Sequence, residues 1–184
     1  MKSKYVDHVM TYDGSQLRSL FAYETQGLLG DSIIAWSGPC NITNSNMKDG
    51  EDLFAGEKIY SEHMLHFIVE AFEVNLRTMV SLQRLLSSIL KDVLVDLKPD
   101  LKITRDGDDL YIDDDKLNIS IASIGPVSAM IHCGINISSQ NTPVPTLGLK
   151  DLGLREADVA DLVLEKFSKE YESIAIACRK VFSL

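Results

Sequence analysis

The sequence predicts an α+β fold: a mixed, mostly antiparallel sheet backed by helices. Three observations point there. Met79, Leu82, Leu86, Ile89 and Val93 step by three and four residues, the stripe of a long helix lying against a sheet. Four short strand candidates then follow in quick succession: Leu101–Thr104, Leu110–Ile112, Lys116–Ala122 and Val127–Ile137. Their turns, Asp106-Gly107-Asp108, Asp113-Asp114-Asp115 and Gly125-Pro126, leave no room for parallel crossovers. A last amphipathic helix from Glu156 carries Phe167, Tyr171, Ile174, Cys178 and Phe182 on one stripe.

The earlier elements fit the same architecture. Gly14 to Tyr23 places Leu17, Leu20 and Phe21 at helical spacing, with Asp13 or Ser15 available as a cap. Ser32 to Trp36 is a strand that Gly38-Pro39 ends, and Cys40 to Glu57 is the longest loop candidate. A second strand runs from about His63 to Glu73, and Pro99 closes the long helix. With 184 residues and no internal repeat, the expectation is one domain over residues 1–184.

Composition excludes several classes of function. Eighteen Lys and Arg stand against 27 Asp and Glu, a formal charge of -9, so duplex nucleic acid and anionic membranes are repelled. No apolar run approaches the ~20 residues that span a bilayer. The polar start, Met1 to Met10, gives no sign of a signal peptide. Cys40, Cys133 and Cys178 show no paired or zinc-type spacing and read as reduced thiols, so the expected location is cytoplasmic, with no metal site.

Chemistry concentrates on two strands. Alternation along Lys116 to Ala122 sends Lys116, Asn118 and Ser120 to one side, with Leu117, Ile119 and Ile121 facing the core. On the next strand Ile131, Cys133, Ile135 and Ile137 face the core, leaving His132, Gly134 and Asn136 on the other side. As neighbouring strands they would bring Lys116, Ser120, His132 and Asn136 onto one surface, either a pocket wall or a solvated sheet face. Cys40, beside Gly38-Pro39, is an acyl-carrying nucleophile candidate with no identifiable base. Glu62, His63, His66 and Glu70 share spacing that a metal site would use, without any metal motif.

The segment Asp108-Asp109-Leu110-Tyr111 followed by Lys116-Leu117 resembles the biotin protein ligase stretch Asn-Asp-Leu-Tyr…Lys-Leu. His132-Cys133-Gly134-Ile135-Asn136 is similar to the Gly-Ile-Asn strand of those ligases. Asp13-Gly14-Ser15-Gln16 sits where they start a Ser-Thr-Asn helix, and Gly30-Asp31-Ser32 resembles their Gly-Asp strand. Within that superfamily the chain is identified as a member of domain-of-unknown-function family 366. The resemblance implies a biotin/lipoate protein ligase-like core related to class II aminoacyl-tRNA synthetases. It also implies a small carboxylic acid or acyl group as partner, ATP or an adenylate as cofactor, and a homodimer. Lys116 would be the catalytic clamp on carboxylate and phosphate, with Ser15, Gln16, Asp109, Asn118, Ser120, His132, Gly134 and Asn136 around the ligand; Glu62, His63 and His66 would border its pocket.

The pattern also departs from the ligases. Their Gly-Arg-Gly-Arg loop is replaced by Ser37-Gly38-Pro39-Cys40-Asn41-Ile42, with no basic residue until Lys48. Ile119 and His132 stand where the ligases carry Gly. The functional expectation is a protein that binds, activates or transfers a small carboxylic acid or acyl-adenylate. The alternative is a non-catalytic ligand-binding or assembly protein that kept the fold and lost nucleotide chemistry.

Overall fold

The structure is a computed structural model that describes residues 1–182. Five strands form the main sheet in the order β1-β2-β3-β8-β7: β1 (Lys2–Tyr5), β2 (Ser32–Asn41), β3 (Tyr60–Phe72), β7 (Asn118–Ile124) and β8 (Ser128–Asn136). Only β1 and β2 pair in parallel; the other three pairings are antiparallel. A second sheet holds β4 (Ile103–Asp106), β5 (Asp109–Ile112) and β6 (Asp115–Lys116). The helices are α1 (Phe21–Gln26), α2 (Gly50–Ala55), α3 (Leu76–Leu97) and α4 (Glu156–Arg179). No helix among the described residues is long and apolar enough to cross a membrane.

Strands β2, β3 and β8 are buried on both faces, and their alternation divides two cores. Ile33, Ala35, Leu65, Phe67, Val69, Ile131, Cys133 and Ile135 pack with the α3 stripe and with Val159, Val163 and Phe167 of α4. Ile34, Trp36, Met64, Ile68 and Met130 point the opposite way, onto Tyr12, Leu17 and Phe21 of the N-terminal segment. That segment is therefore the cover on the second face. Glu70, buried at 2% exposure, holds it: its carboxylate accepts from Leu20 N–H at 2.6 Å and from the Ser128 hydroxyl at 2.5 Å.

Several boundaries differ from the sequence reading. Helix α1 begins only at Phe21, because Gly14 (φ 91°) and Leu20 (φ 66°) adopt left-handed backbone that interrupts a helix between them. Strand β2 does not stop at Gly38-Pro39. It passes through a register shift between Gly38 and Cys40 and continues to Asn41. The long loop contains α2, capped by Asp49, whose side chain accepts from Glu51 and Asp52 N–H. The α4 stripe is buried only as far as Phe167: Cys178 is exposed, Phe182 lies beyond the helix, and Tyr171 instead donates its hydroxyl to Asp31 Oδ2 at 2.8 Å.

Gly38 sits where β2 runs against the N-terminal segment. A Cβ there would lie 2.1 Å from Met10 O and 2.8 Å from Met10 C, both backbone atoms. Met10 O is itself fixed by the Trp36 indole N–H at 2.8 Å, so it has little freedom to withdraw. Gly38→Ala is expected to lose about 3 kcal/mol of stability in urea unfolding. A loss below about 1 kcal/mol, within the range of an ordinary surface change, would contradict this packing.

Candidate functional site

A cavity of about 400 Å³ opens between the two sheets and the 42–60 segment. Its walls include Tyr12, Met64, Ile119, Ile121 and His132 on the apolar side and Asp108, Asp109, Lys116 and Asn136 on the polar side. Segment 46–60 adds Lys48, Lys58, Asp49, Asp52 and Glu57, so three lysines face five carboxylates around one space. The chain's negative balance thus extends into the cavity. Burial and the neighbouring acids push the Asp52 carboxyl above the usual range, and Lys116 partly opposes that rise. Burial likewise raises Asp108, whose ion pair with Arg84 pulls the other way.

Lys116 reaches this wall from the end of β6. Its backbone is gripped by the 145–147 segment, donating N–H to Pro145 O at 3.1 Å and accepting from Leu147 N–H at 3.2 Å. The ammonium donates to Asp109 Oδ2 at 2.7 Å, and the Tyr111 hydroxyl reaches the same oxygen at 3.3 Å. Asp109 and Lys116 therefore form a part-exposed pair within the cavity wall.

The shared face expected for Lys116, Asn118, Ser120, His132 and Asn136 is not what the strands make. The chain leaves the small sheet at Leu117, which is buried on the helix side, and Asn118 also turns to that side as β7 begins. The alternation slips by one residue there. In β7, Asn118 pairs with Ile135 and Ser120 with Cys133, whereas Ile119 and Ile121 pair with Gly134 and His132. Directly opposed residues share a face, so Ile119 and Ile121 join His132 over the second core. Asn118 and Ser120 are nonetheless among the residues that line the cavity, although their side chains are also engaged behind it. The Asn118 amide accepts from Leu110 N–H at 2.7 Å and donates to Asp108 O at 3.0 Å, tying the two sheets together. The Ser120 hydroxyl donates to His132 O at 2.9 Å and accepts from Gln83 of α3 at 3.1 Å.

Ser15 and Gln16 do not line the cavity. Ser15 Oγ donates to Asp13 Oδ1 at 2.6 Å, a bond that holds the Asp13 carboxyl below its ordinary range. The Gln16 amide donates to Thr11 O at 3.0 Å and accepts from Asp13 N–H at 3.1 Å. Both side chains are used to fold their own turn. Gly134 is also absent from the lining and acts beneath it. A Cβ there would meet Met64 Cε at 3.0 Å, His132 Cε1 at 3.3 Å and His66 Nδ1 at 3.4 Å.

Glu62, His63 and His66, expected at the pocket border, do not line the cavity either; its β3 contributions are Tyr60, Ser61 and Met64. Glu62 is engaged by Asn141 at 2.6 Å, and Glu70 by Leu20 and Ser128. Among the described residues no group of three or more His, Cys, Asp and Glu is placed to hold a metal ion. Cys40 is buried in β2 outside the cavity lining, and burial pushes its thiol up to about 12, where it is not a nucleophile at neutral pH.

Under His132 lies an arrangement that strand-by-strand reading could not reveal. His66 Nδ1 is 3.1 Å from His132 Nε2, and His66 Nε2 is 3.1 Å from Gly38 O. Tyr12 stacks flat on His132 with ring centroids 3.6 Å apart, and Trp36 stacks on His66 at 5.2 Å. The only signal in sequence was two histidines inside strongly apolar strands.

The family model described as Domain of unknown function (DUF366) matches residues 1–182. The chain belongs to this family. An uncharacterized protein of Methanocaldococcus jannaschii is 37% identical over 187 residues, covering 98% of this chain and 84% of that protein. A solved structure described as a protein of unknown function from Pyrococcus horikoshi is 32% identical and superposes with a TM-score of 0.92 over the whole of both chains. A mutant biotin protein ligase of Aquifex aeolicus, in complex with biotin, has a TM-score of 0.64 at 12% identity, over 94% of this chain and 70% of the ligase. LipL1 of P. falciparum, in complex with lipoate, gives 0.58 at 11%, over 93% of this chain and 63% of that one. This family therefore shares the fold of the biotin and lipoate protein ligases.

The buried imidazole pair makes stability depend on pH. Burial lowers His66 to about 4 and depresses His132 in the same direction, against ~6.5 in an unfolded chain. Between those values the unfolded state binds more protons, so stability is complete above about pH 6.5 and falls on acidification. At ~1.4 kcal/mol per pH unit for each ring, going from pH 7.5 to 5.5 is expected to remove about 2–3 kcal/mol in urea titrations. Equal stability at the two pH values would mean that the rings are not buried as neutral groups.

Proposed function

We propose that this protein binds a small carboxylic acid, or the acyl-adenylate of one, in the cavity between the sheets, with Lys116 meeting the carboxylate or its phosphate. The observation that carries the reading is the pairing of one buttressed ammonium with an apolar wall. Lys116 is held on its backbone by the 145–147 segment and on its side chain by Asp109, and the same cavity continues over Tyr12, Met64, Ile119 and Ile121. A charged end and an apolar body are the two features of a small organic acid. The shared fold supports the reading, since the Aquifex aeolicus and P. falciparum proteins with that fold are in complex with biotin and lipoate. In a catalytic version Lys116 would steady negative charge on an acyl group during transfer. A cytoplasmic location and a homodimer belong to the same proposal.

The residues present do not fit a nucleoside triphosphate. Where the ligases have an Arg-bearing loop, Ser37 to Asn41 here continue strand β2, and the cavity itself holds more carboxylates than lysines. A triphosphate would add like charge to that wall. This specifically favours the second reading, a ligand-binding protein that retained the fold without ATP chemistry.

A thermal-shift series on wild type and Lys116→Ala distinguishes these readings, using biotin, lipoate, octanoate, AMP, ATP and non-hydrolysable acyl-adenylate analogues. A ligand at a hundred times its Kd adds ~2.7 kcal/mol, so an acid or adenylate that binds is expected to raise Tm by roughly 5–10 °C. That rise is expected to shrink in Lys116→Ala, whose own stability changes by no more than about 1 kcal/mol because its ion pair is part-exposed. ATP is expected to give no shift. A Tm that none of the acids or adenylates moves would remove the carboxylic-acid reading.

A further inference from the structure

Hydrogen-bond direction through the imidazole pair is fixed from one end. A backbone carbonyl only accepts, so His66 must carry its proton on Nε2 to bond Gly38 O. In the neutral ring that leaves His66 Nδ1 as a lone pair, and His132 must donate to it from Nε2. The Nδ1 of His132 is then also a lone pair. It has no hydrogen-bond partner among the described residues, yet it is not among the fully buried polar atoms that lack one, which are Ser32 Oγ, Ser61 Oγ and Ser168 Oγ. His132 is 1% exposed and lines the cavity, which is the space its remaining accessible surface faces. Unsatisfied buried polar groups of this kind are uncommon in folded proteins and call for a partner.

His132 is also far from Lys116. Asn136 N–H bonds the carbonyl of Leu117, next to Lys116, and His132 lies four residues further along β8, about 13 Å at ~3.3 Å per residue. We propose that His132 Nδ1 is a ligand-binding atom. It accepts a hydrogen bond from a neutral O–H or N–H group at the end of the ligand remote from its carboxylate. This rests on the proposed carboxylic-acid reading and narrows its ligand class to acids carrying a neutral donor at the far end. The donor is neutral because Tyr12, Met64, Ile119 and Ile121 surround that end, while the carboxylates gather at the other: Asp108 and Asp109 are engaged by Arg84 and Lys116, and Asp52, with Asp49 and Glu57 beside it, lies within the field of Lys116. An ammonium there would lose its hydration without a counter-charge. Tyr12 stacked on the imidazole and Gly134 beneath it hold the ring in place. Burial keeps both imidazoles neutral at physiological pH, preserving the lone pair.

Calorimetric titration with octanoate, 8-hydroxyoctanoate and 8-aminooctanoate tests this on wild type, Lys116→Ala, His132→Gln and His132→Phe. Wild type is expected to bind the hydroxy acid at least tenfold more tightly than octanoate and to bind the amino acid no better than octanoate. His132→Phe keeps a ring against Tyr12 but has no acceptor, and should bind the hydroxy acid and octanoate equally. His132→Gln, which supplies a carbonyl oxygen, should recover part of the preference. In wild type, ¹⁵N spectra should show His132 protonated at Nε2, with its Nδ1 resonance moved by the hydroxy acid and not by octanoate; this readout holds even where a variant fails to fold. Equal binding of hydroxy acid and octanoate by wild type, with both weakened in Lys116→Ala, would overturn the role of His132 and leave the carboxylic-acid reading standing. A proton found on His132 Nδ1, or tightest binding of the amino acid, would also overturn it. Absence of binding by all three acids would remove the reading and the inference together.

Discussion

The chain of hydrogen bonds from Gly38 O through His66 to His132 crosses the three central strands at their most buried point. Both rings are within 1% of complete burial, where a charged ring would be severely disfavoured. Much of the local sequence follows from that demand. Gly38 exposes its carbonyl while leaving room for Met10, Gly134 clears space for both imidazoles, and Tyr12 and Trp36 cover them with flat aromatic faces. Tyr12 is itself brought in by backbone bonds to β2, donating to Pro39 O at 2.8 Å and accepting from Asn41 N–H at 2.9 Å. The continuation of β2 past Gly38-Pro39 is thus what places the cover on His132.

The cavity owes its polar end to a different constraint, the seam between the two sheets. Asn118 closes that seam by bonding Leu110 N–H and Asp108 O, which leaves the Asp108 and Asp109 side chains facing the space beside Lys116. Asp108 is anchored to α3 through Gln83 and Arg84, and its carbonyl accepts from the Ser87 hydroxyl at 3.0 Å. Asp108 is therefore part of what joins the small sheet to the helix, and its charge near Lys116 is built into the architecture. A shared fold thus leaves the charge around its cavity free to differ.

Elements governed by one period were legible in the sequence. The α3 stripe is buried at Met79, Leu82, Leu86, Ile89 and Val93, and β8 sends Ile131, Cys133 and Ile135 into the helix-side core as its alternation implied, while its other face is buried as well. Lys116, Ser120, His132 and Asn136, grouped from the strand order, all line one cavity, and so does Asp109, singled out from the resemblance. What sequence could not convey was register. A single slip at Leu117 exchanged the faces of β7, so Ile119 and Ile121, read as core, line the cavity while Asn118 and Ser120 serve the seam. Ser15 and Gln16 looked like ligand contacts only because their bonds to Asp13 and Thr11 are invisible without coordinates. His66 was legible as a polar residue in an apolar strand, but its partner lies 66 positions away and emerges only when β3 and β8 are paired.

The same pairing sets what surrounds His132. His132 opposes Ile68 across the β3–β8 pair, and the glycine opposite His66 lies two residues further along, at Gly134. That small residue leaves the space that the two rings fill. The surface presented to the cavity at His132 is an aromatic edge whose hydrogen-bonding sense is set by Gly38. An acceptor oriented by two strands behind it needs no reorganisation when a donor arrives, and it discriminates most strongly against groups that cannot donate. Selection by such a floor depends on hydrogen bonds more than on apolar fit, so chain length alone would be a poor guide to what this cavity holds.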